Sequence, residues 1–172
     1  MDIEKVLAER HELLERLRDS LQEELLVAEL EEAENENSPE VLRVVFDEIG
    51  QDNEEGALGE FFFMPPLSEE DTVQLFSAVI TIGDSVDKER LPELFKIMSF
   101  INFRIPCGSF CIDEEGEFML YRLTVPLPAG LGKDQLYDEM NIVLTNALVS
   151  ADMYMDILLK VNEGEDISPD QF

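Results

Sequence analysis

Cys107 and Cys111 stand four residues apart, close enough to offer two thiolates to a metal ion. A structural zinc site takes four ligands. No second Cys/His cluster occurs, and the one histidine, His11, is distant in sequence. The cysteines therefore read as packing or turn residues. His11 lies in a charged helical stretch, with no nucleophile or orienting acid in a recognisable arrangement. Adjacent acids recur at Glu54–Glu55, Glu69–Glu70–Asp71 and Asp113–Glu114–Glu115. Two-carboxylate hydrolysis needs the pair held across a cleft, one of them in an apolar pocket. These acids fall in turn-rich segments and read as solvated loops. No G-x-x-x-x-G-K-[ST] or G-x-G-x-x-G run supplies a phosphate cradle. DEEGE at 113–117 lacks the ligand alternation of a calcium loop. No catalytic, cofactor-binding or metal-ligating residue is assigned, no cofactor is expected, and the chain is expected not to be an enzyme.

The apolar residues are more informative. Phe61, Phe62 and Phe63 are consecutive on an extended segment, so at least one faces opposite to the others. They are either core on both faces or part of an aromatic patch for a partner. With Met98, Phe103 and Phe110 they form the candidate protein-interaction set.

These residues must be positioned by helices and strands. Residues 2–33 are rich in Glu, Leu, Arg and Ala, without Gly or Pro, which predicts one long helix. Leu7, Leu14 and Leu21 repeat every seven residues, with Ile3 and Leu17 on the adjoining seam. Arg10 and Glu24 interrupt that seam, which argues against a long coiled coil. Residues 34–40 read as a polar loop. Val41–Ile49 predicts a strand, 50–59 an acidic hairpin connection, and Glu60–Met64 its return, ended by Pro65 and Pro66. Residues 67–72 read as a loop or one turn of helix. Val73–Ile82 is apolar on both alternations, as for a central strand covered on both sides. Asp87 is the expected cap of a second helix, with Pro92 in its first turn. Leu91, Leu94, Phe95, Met98 and Ile101 form one face of that helix, which ends near Asn102. Ser109–Asp113 and Glu117–Val125 read as a hairpin around Glu114–Gly116. Met119, Tyr121, Leu123 and Val125 face one side of it. Residues from Lys133 to about Val161 carry a broad apolar helical face. Residues 163–172 read as a frayed acidic tail.

The expected fold is α+β, a single domain over 1–172. Its predicted order αβββαββα gives a five-stranded antiparallel sheet with packed helices. At 172 residues and 45% apolar, the chain is large enough for a real core. Forty acids against twelve Lys and Arg leave −28, which disfavours nucleic acid and anionic membrane as partners. The charge is uneven. Residues 87–132 hold seven acids and five bases, and this near-neutral block is the expected homodimer contact. No leader-like apolar segment opens the chain, and no run of about 18 apolar residues is evident, so a cytoplasmic location with reduced cysteines is expected.

The stretch Ile101–Phe110, I-N-F-R-I-P-C-G-S-F, precedes the acidic turn and then F-M-L-Y-R-L-T-V-P-L. It resembles the YbjN-like family, labelled bacterial sensory transduction regulators. The matching marks are Pro106, Gly108 and Phe110 in P-x-G-x-F, and Tyr121 and Arg122 in the next strand. Val73–Asp84 resembles the strand before that family's middle helix. The likeness spans roughly residues 40–162. It implies a type III secretion chaperone-like fold and a small, acidic, dimeric protein that binds other proteins, with no catalytic residues to carry over. The longer first helix and the wide acidic loop depart from the pattern. The functional expectation is a non-enzymatic interaction module, a chaperone-like or regulatory adaptor, homodimeric, with a protein or peptide partner. The alternative is a small-molecule-binding sensor or enzyme with a Met/Phe-lined pocket.

Overall fold

The computed structural model describes residues 3–33, 35, 38–50, 56–65, 73–128 and 130–168. Its elements run α1 (Ile3–Glu23), β1 (Val27–Glu31), β2 (Val41–Phe46), β3 (Ala57–Phe63), β4 (Val73–Gly83), a 3-10 turn (Lys88–Arg90), α2 (Leu91–Arg104), β5 (Ser109–Ile112), β6 (Met119–Pro128) and α3 (Lys133–Asn162). The α+β class holds, but the sheet has six strands rather than five, ordered β1-β2-β3-β4-β6-β5. Every neighbouring pair is antiparallel.

The additional strand comes from the segment read as the end of a long first helix. That helix stops at Glu23. Leu26 N–H donates to Leu21 O at 3.1 Å, and Leu25 N–H to Gln22 O at 3.0 Å. This pair of bonds closes a Schellman turn, which needs a left-handed residue at the position Leu25 occupies. Leu25 sits there at φ 68. Glycine normally marks the position, so a leucine hides the stop. The chain then reverses into β1, and Ala28 packs into the core while Leu30 lies against it.

The core seam of α1 runs through Val6, Arg10, Leu13, Leu14, Leu17 and Leu21. Arg10 therefore does not interrupt the seam; it is part of it. On the sheet, Leu42, Val44, Phe61, Phe76, Ala78 and Ile80 form the buried alternation, continued on β6 by Met119, Tyr121, Leu123 and Leu127. All three helices cover this one face. β4 is therefore covered on one side, not both: Leu75, Val79 and Thr81 on its other alternation stay partly exposed.

Asp87 caps as expected, accepting from Glu89 N–H at 2.9 Å, although it caps the 3-10 turn that leads into α2. α3 presents Leu136, Met140, Val143, Ala147, Ala151 and Leu158 to the sheet. Against the expectation that nothing is long and apolar enough, α3 has the length and composition to cross a membrane. Here one apolar stripe packs on β4 and β6, while Ile142, Val149 and Met153 on its outer side stay exposed. The tail is not frayed over 163–168. Ile167 packs against the core, and Arg90 donates to Val161 O and Glu165 O, each at 3.2 Å. The expected loop over 67–72 and residues 51–55 of the acidic connection lie outside the described residues, while Ala57–Gly59, read as part of that connection, belong to β3.

Leu25 is 92% exposed, so its side chain packs against little. Leu25→Gly should remove the left-handed penalty of roughly 1–2 kcal/mol, less what glycine's freer unfolded chain takes back. Urea unfolding should show a net gain of about 1 kcal/mol. An unchanged or lower midpoint would show that Leu25 is not strained.

Candidate protein-interaction surfaces

The residues with chemical potential are dispersed. Cys107 and Cys111 are free thiols, both half-buried. Burial pushes the Cys111 thiol up, against the pull of Arg122. His11 sits between two acids, with Nδ1 at 2.9 Å from Glu40 Oε1 and Nε2 at 3.5 Å from Glu15 Oε2. Among the described residues no three His, Cys, Asp or Glu side chains are grouped as metal ligands. Asp113 staples the β5–β6 turn: its Oδ1 accepts from Glu117 N–H at 2.7 Å and Phe118 N–H at 2.8 Å. These backbone donors, Phe118 foremost, hold its carboxyl below the usual range.

The P-x-G-x-F turn is a structural knot. Gly108 has φ 69, a region that side chains disfavour. The Tyr121 hydroxyl donates to Cys107 O at 3.0 Å beside it. Burial pushes the Tyr121 phenol up. Phe110 packs on Tyr121 with ring centroids 5.0 Å apart, and edge-on to Tyr154 at 6.0 Å. Asn102 grips the start of β5 twice: Phe110 N–H donates to Asn102 Oδ1 at 2.7 Å, and Asn102 Nδ2 donates to Phe110 O at 3.0 Å. These contacts set the angle between α2 and the hairpin.

Three surfaces among the described residues stand out for partners. The first is the bare face of the sheet. One row across it reads Val27, Val45, Leu58, Thr81, Leu120 and Cys111. The next reads Glu29, Arg43, Glu60, Val79, Arg122 and Ser109. A third contains Phe62, Ser77 and Thr124. Arg43 pairs with Glu60 at 2.9 Å and Glu31 at 2.6 Å, while Arg122 has no ion pair among the described residues.

The second surface is the outer side of α2. Its inner side, Leu94, Ile97, Met98 and Ile101, is buried. Phe95, Phe100 and Phe103 lie opposite and are exposed by 54%, 40% and 90%. A helix apolar on both sides normally has both sides covered. Residues 88–104 also carry four bases against two acids, in a chain of net charge −28.

The third is a cleft of about 610 Å³ at the start of α1, walled by Ile3, Leu7, Leu14, Phe63, Pro39 and Pro65, with Arg10, His11 and Glu40. Arg10 is nearly buried. It donates to Gln74 Oε1 at 2.8 Å and Met64 O at 3.0 Å, and lies over the Phe63 ring at 5.1 Å. The described lining contains one phenylalanine and no methionine, unlike the Met/Phe-lined pocket expected of a ligand sensor.

The six predicted interaction residues separate accordingly. Phe61, Phe63, Met98 and Phe110 are buried within the chain and offer no surface to a partner. The strand alternation that buries Phe61 and Phe63 turns Phe62 onto the bare face. Phe103 stands on the outer side of α2. Phe95, Phe100 and the bare-face residues Leu58, Val79 and Leu120 were not in the predicted set. Their sequence signal was apolar residues on both alternations of a strand and on both sides of a helix.

No protein-family model matches the chain, and no match was found among curated proteins. A crystal structure of an uncharacterized protein from Methanothermobacter thermautotrophicus is similar at 18% identity. The similarity covers 85% of this chain and 99% of that one, with a TM-score of 0.39.

A Cβ on Gly108 would press into the Tyr121 phenol and approach Arg122 O to 2.8 Å. Gly116 has a similar φ of 72 but nothing within 4 Å of an added Cβ. Gly108→Ala should therefore lose roughly 3 kcal/mol, from strain plus overpacking. Gly116→Ala should lose only about 1 kcal/mol. Equal losses in chemical denaturation would show that the Tyr121 contact does not constrain the turn.

Proposed function

We propose that this chain is a non-enzymatic protein-interaction module, a cytoplasmic adaptor or chaperone-like protein that works as a homodimer and takes a protein or peptide partner. The observation that carries this reading is the outer side of α2. Three phenylalanines stand in water there, one of them 90% exposed, on a helix whose other side already supplies the core. Burying an exposed phenylalanine is worth roughly 1.5–3 kcal/mol. A partner that offers an apolar ridge with acidic flanks would meet both the rings and the local basic excess. Docking of an amphipathic helix into such a surface is a common recognition mode. The P-x-G-x-F resemblance to the YbjN-like family points the same way.

A second reading has its own observation. The 610 Å³ cleft beside α1 lies within the usual size of a small-ligand site. A small molecule retained by the purified protein in native mass spectrometry would favour it.

Phe103→Asp and Phe62→Asp test the partner surfaces. Neither side chain is core, so each should change stability by about 0.5 kcal/mol or less for Phe103 and about 1 kcal/mol for Phe62. Phe61→Asp should unfold the chain. In co-purification at low salt, wild type should retain one stoichiometric protein, and Phe103→Asp should lose it. Retention by Phe103→Asp would move the partner off α2. A wild-type preparation that retains no protein would sink the stable-complex reading.

A further inference from the structure

The bare sheet face is patterned in a way that specifies its occupant. We infer that it closes on a second copy of this chain, about a two-fold axis parallel to β4 that passes over Val79. This rests on the homodimer part of the function proposed above.

Charge is the first ground. The chain carries −28, so two copies repel across most of their surface. On the bare face Glu29, Glu31 and Glu60 are offset by Arg43 and Arg122, leaving −1. Two copies meet there with little repulsion. No described helix covers this face, yet Leu58, Phe62, Leu75, Val79 and Leu120 on it are apolar. An antiparallel sheet that faced water on this side would alternate to polar residues.

The order of the charges selects the axis. β3 and β6 flank β4 on opposite sides, and Glu60 and Arg122 flank Val79 in one row. A two-fold axis parallel to β4 keeps each row on itself and exchanges β3 with β6. Glu60 of each copy then lies on Arg122 of the other, and Leu58 on Leu120. Phe62 meets Thr124, and Val79 meets its own counterpart on the axis. The other in-plane axis, perpendicular to the strands, stacks Glu60 on Glu60 and Arg122 on Arg122. Like charges in contact oppose that arrangement. Either axis gives the aligned packing that twisted sheets adopt, at about 30° and about 10 Å separation, so the charges make the choice.

The face is large enough. Five strands at about 4.8 Å and three side-chain rows at about 6.8 Å give roughly 500 Å² per copy, or about 1,000 Å² in total, where specific interfaces begin.

The decisive experiment mixes two charge variants. Glu60→Arg places like charges across the axis in its own homodimer, and Arg122→Glu does the same with the opposite sign. Analytical ultracentrifugation should show wild type at twice 19.6 kDa. Each variant alone should have a dissociation constant raised by roughly a hundredfold. A 1:1 mixture should recover the dimer, because every crossed pair is then opposite in charge. That recovery also shows that both variants are folded. Val79→Lys, on the axis, should stay monomeric alone and when mixed with either, with an unchanged circular dichroism spectrum. A dimeric wild type indifferent to all three substitutions would overturn this interface and leave the homodimer reading standing. Weakened variants without recovery on mixing would overturn the axis. A monomeric wild type would overturn both the interface and the homodimer.

Discussion

The three described helices, α1, α2 and α3, lie on the same side of the sheet, and the rest of the structure follows from that constraint. α1, α2 and α3 bury one alternation of all six strands in a single core. The other alternation meets no helix among the described residues. In many antiparallel sheets such a face is polar and needs no cover. Here it keeps a broad apolar band, and an apolar side chain of leucine size gains about 1.5–3 kcal/mol on leaving water. The one-sided arrangement therefore completes a core and creates a surface at once.

A few polar contacts keep the helices on that side. Arg10 is almost wholly buried, which would be costly for an unsatisfied guanidinium. Gln74, Met64 O and the Phe63 ring receive it, so the first half of α1 is fastened to β3 and β4 at once. Across the molecule, Asn102 and the Tyr121 hydroxyl bind backbone on either side of Gly108. These bonds are directional, whereas apolar packing tolerates rotation. Between α1 and α3, Arg16 pairs with Asp134 at 2.8 Å and lies 3.9 Å over the Tyr137 ring, beside the Lys133–Glu12 pair. Those exposed contacts orient the helices and add little stability.

Charge and hydrophobicity divide the surface between them. Acids dominate the outer parts of α1, α3 and the connections. The segment around α2 carries a local excess of bases, and Arg43 and Arg122 stand at the centre of the bare face. A net charge of −28 keeps copies apart unless a nearly neutral patch is presented. The near-neutral block read along the chain, 87–132, contributes Arg122 to that patch. Arg43 and Glu60 come from a more acidic segment, and only strand pairing brings them alongside.

The sequence by itself determined the class, the approximate places of β2 to β6, though β3 opens three residues earlier and β6 runs on to Pro128, the approximate helical spans of α2 and α3, and the Pro106–Phe110 turn. Periodicity and turn chemistry are local, so they survive without coordinates. It also showed that Phe62 opposes Phe61 and Phe63, because a strand alternates by two. The end of α1 was not legible, since Leu25 adopts a backbone conformation that glycine usually announces, and β1 was hidden with it. Which apolar alternation became core, and which was left bare, was decided by tertiary structure. Val73–Ile82 is apolar on both sides, and nothing in its residues says on which side three distant helices will pack. Met98 and Phe103 differ by five positions on one helix, about 140° apart in direction. Only the docking of α2 onto β5 and α3 made one of them core and the other surface.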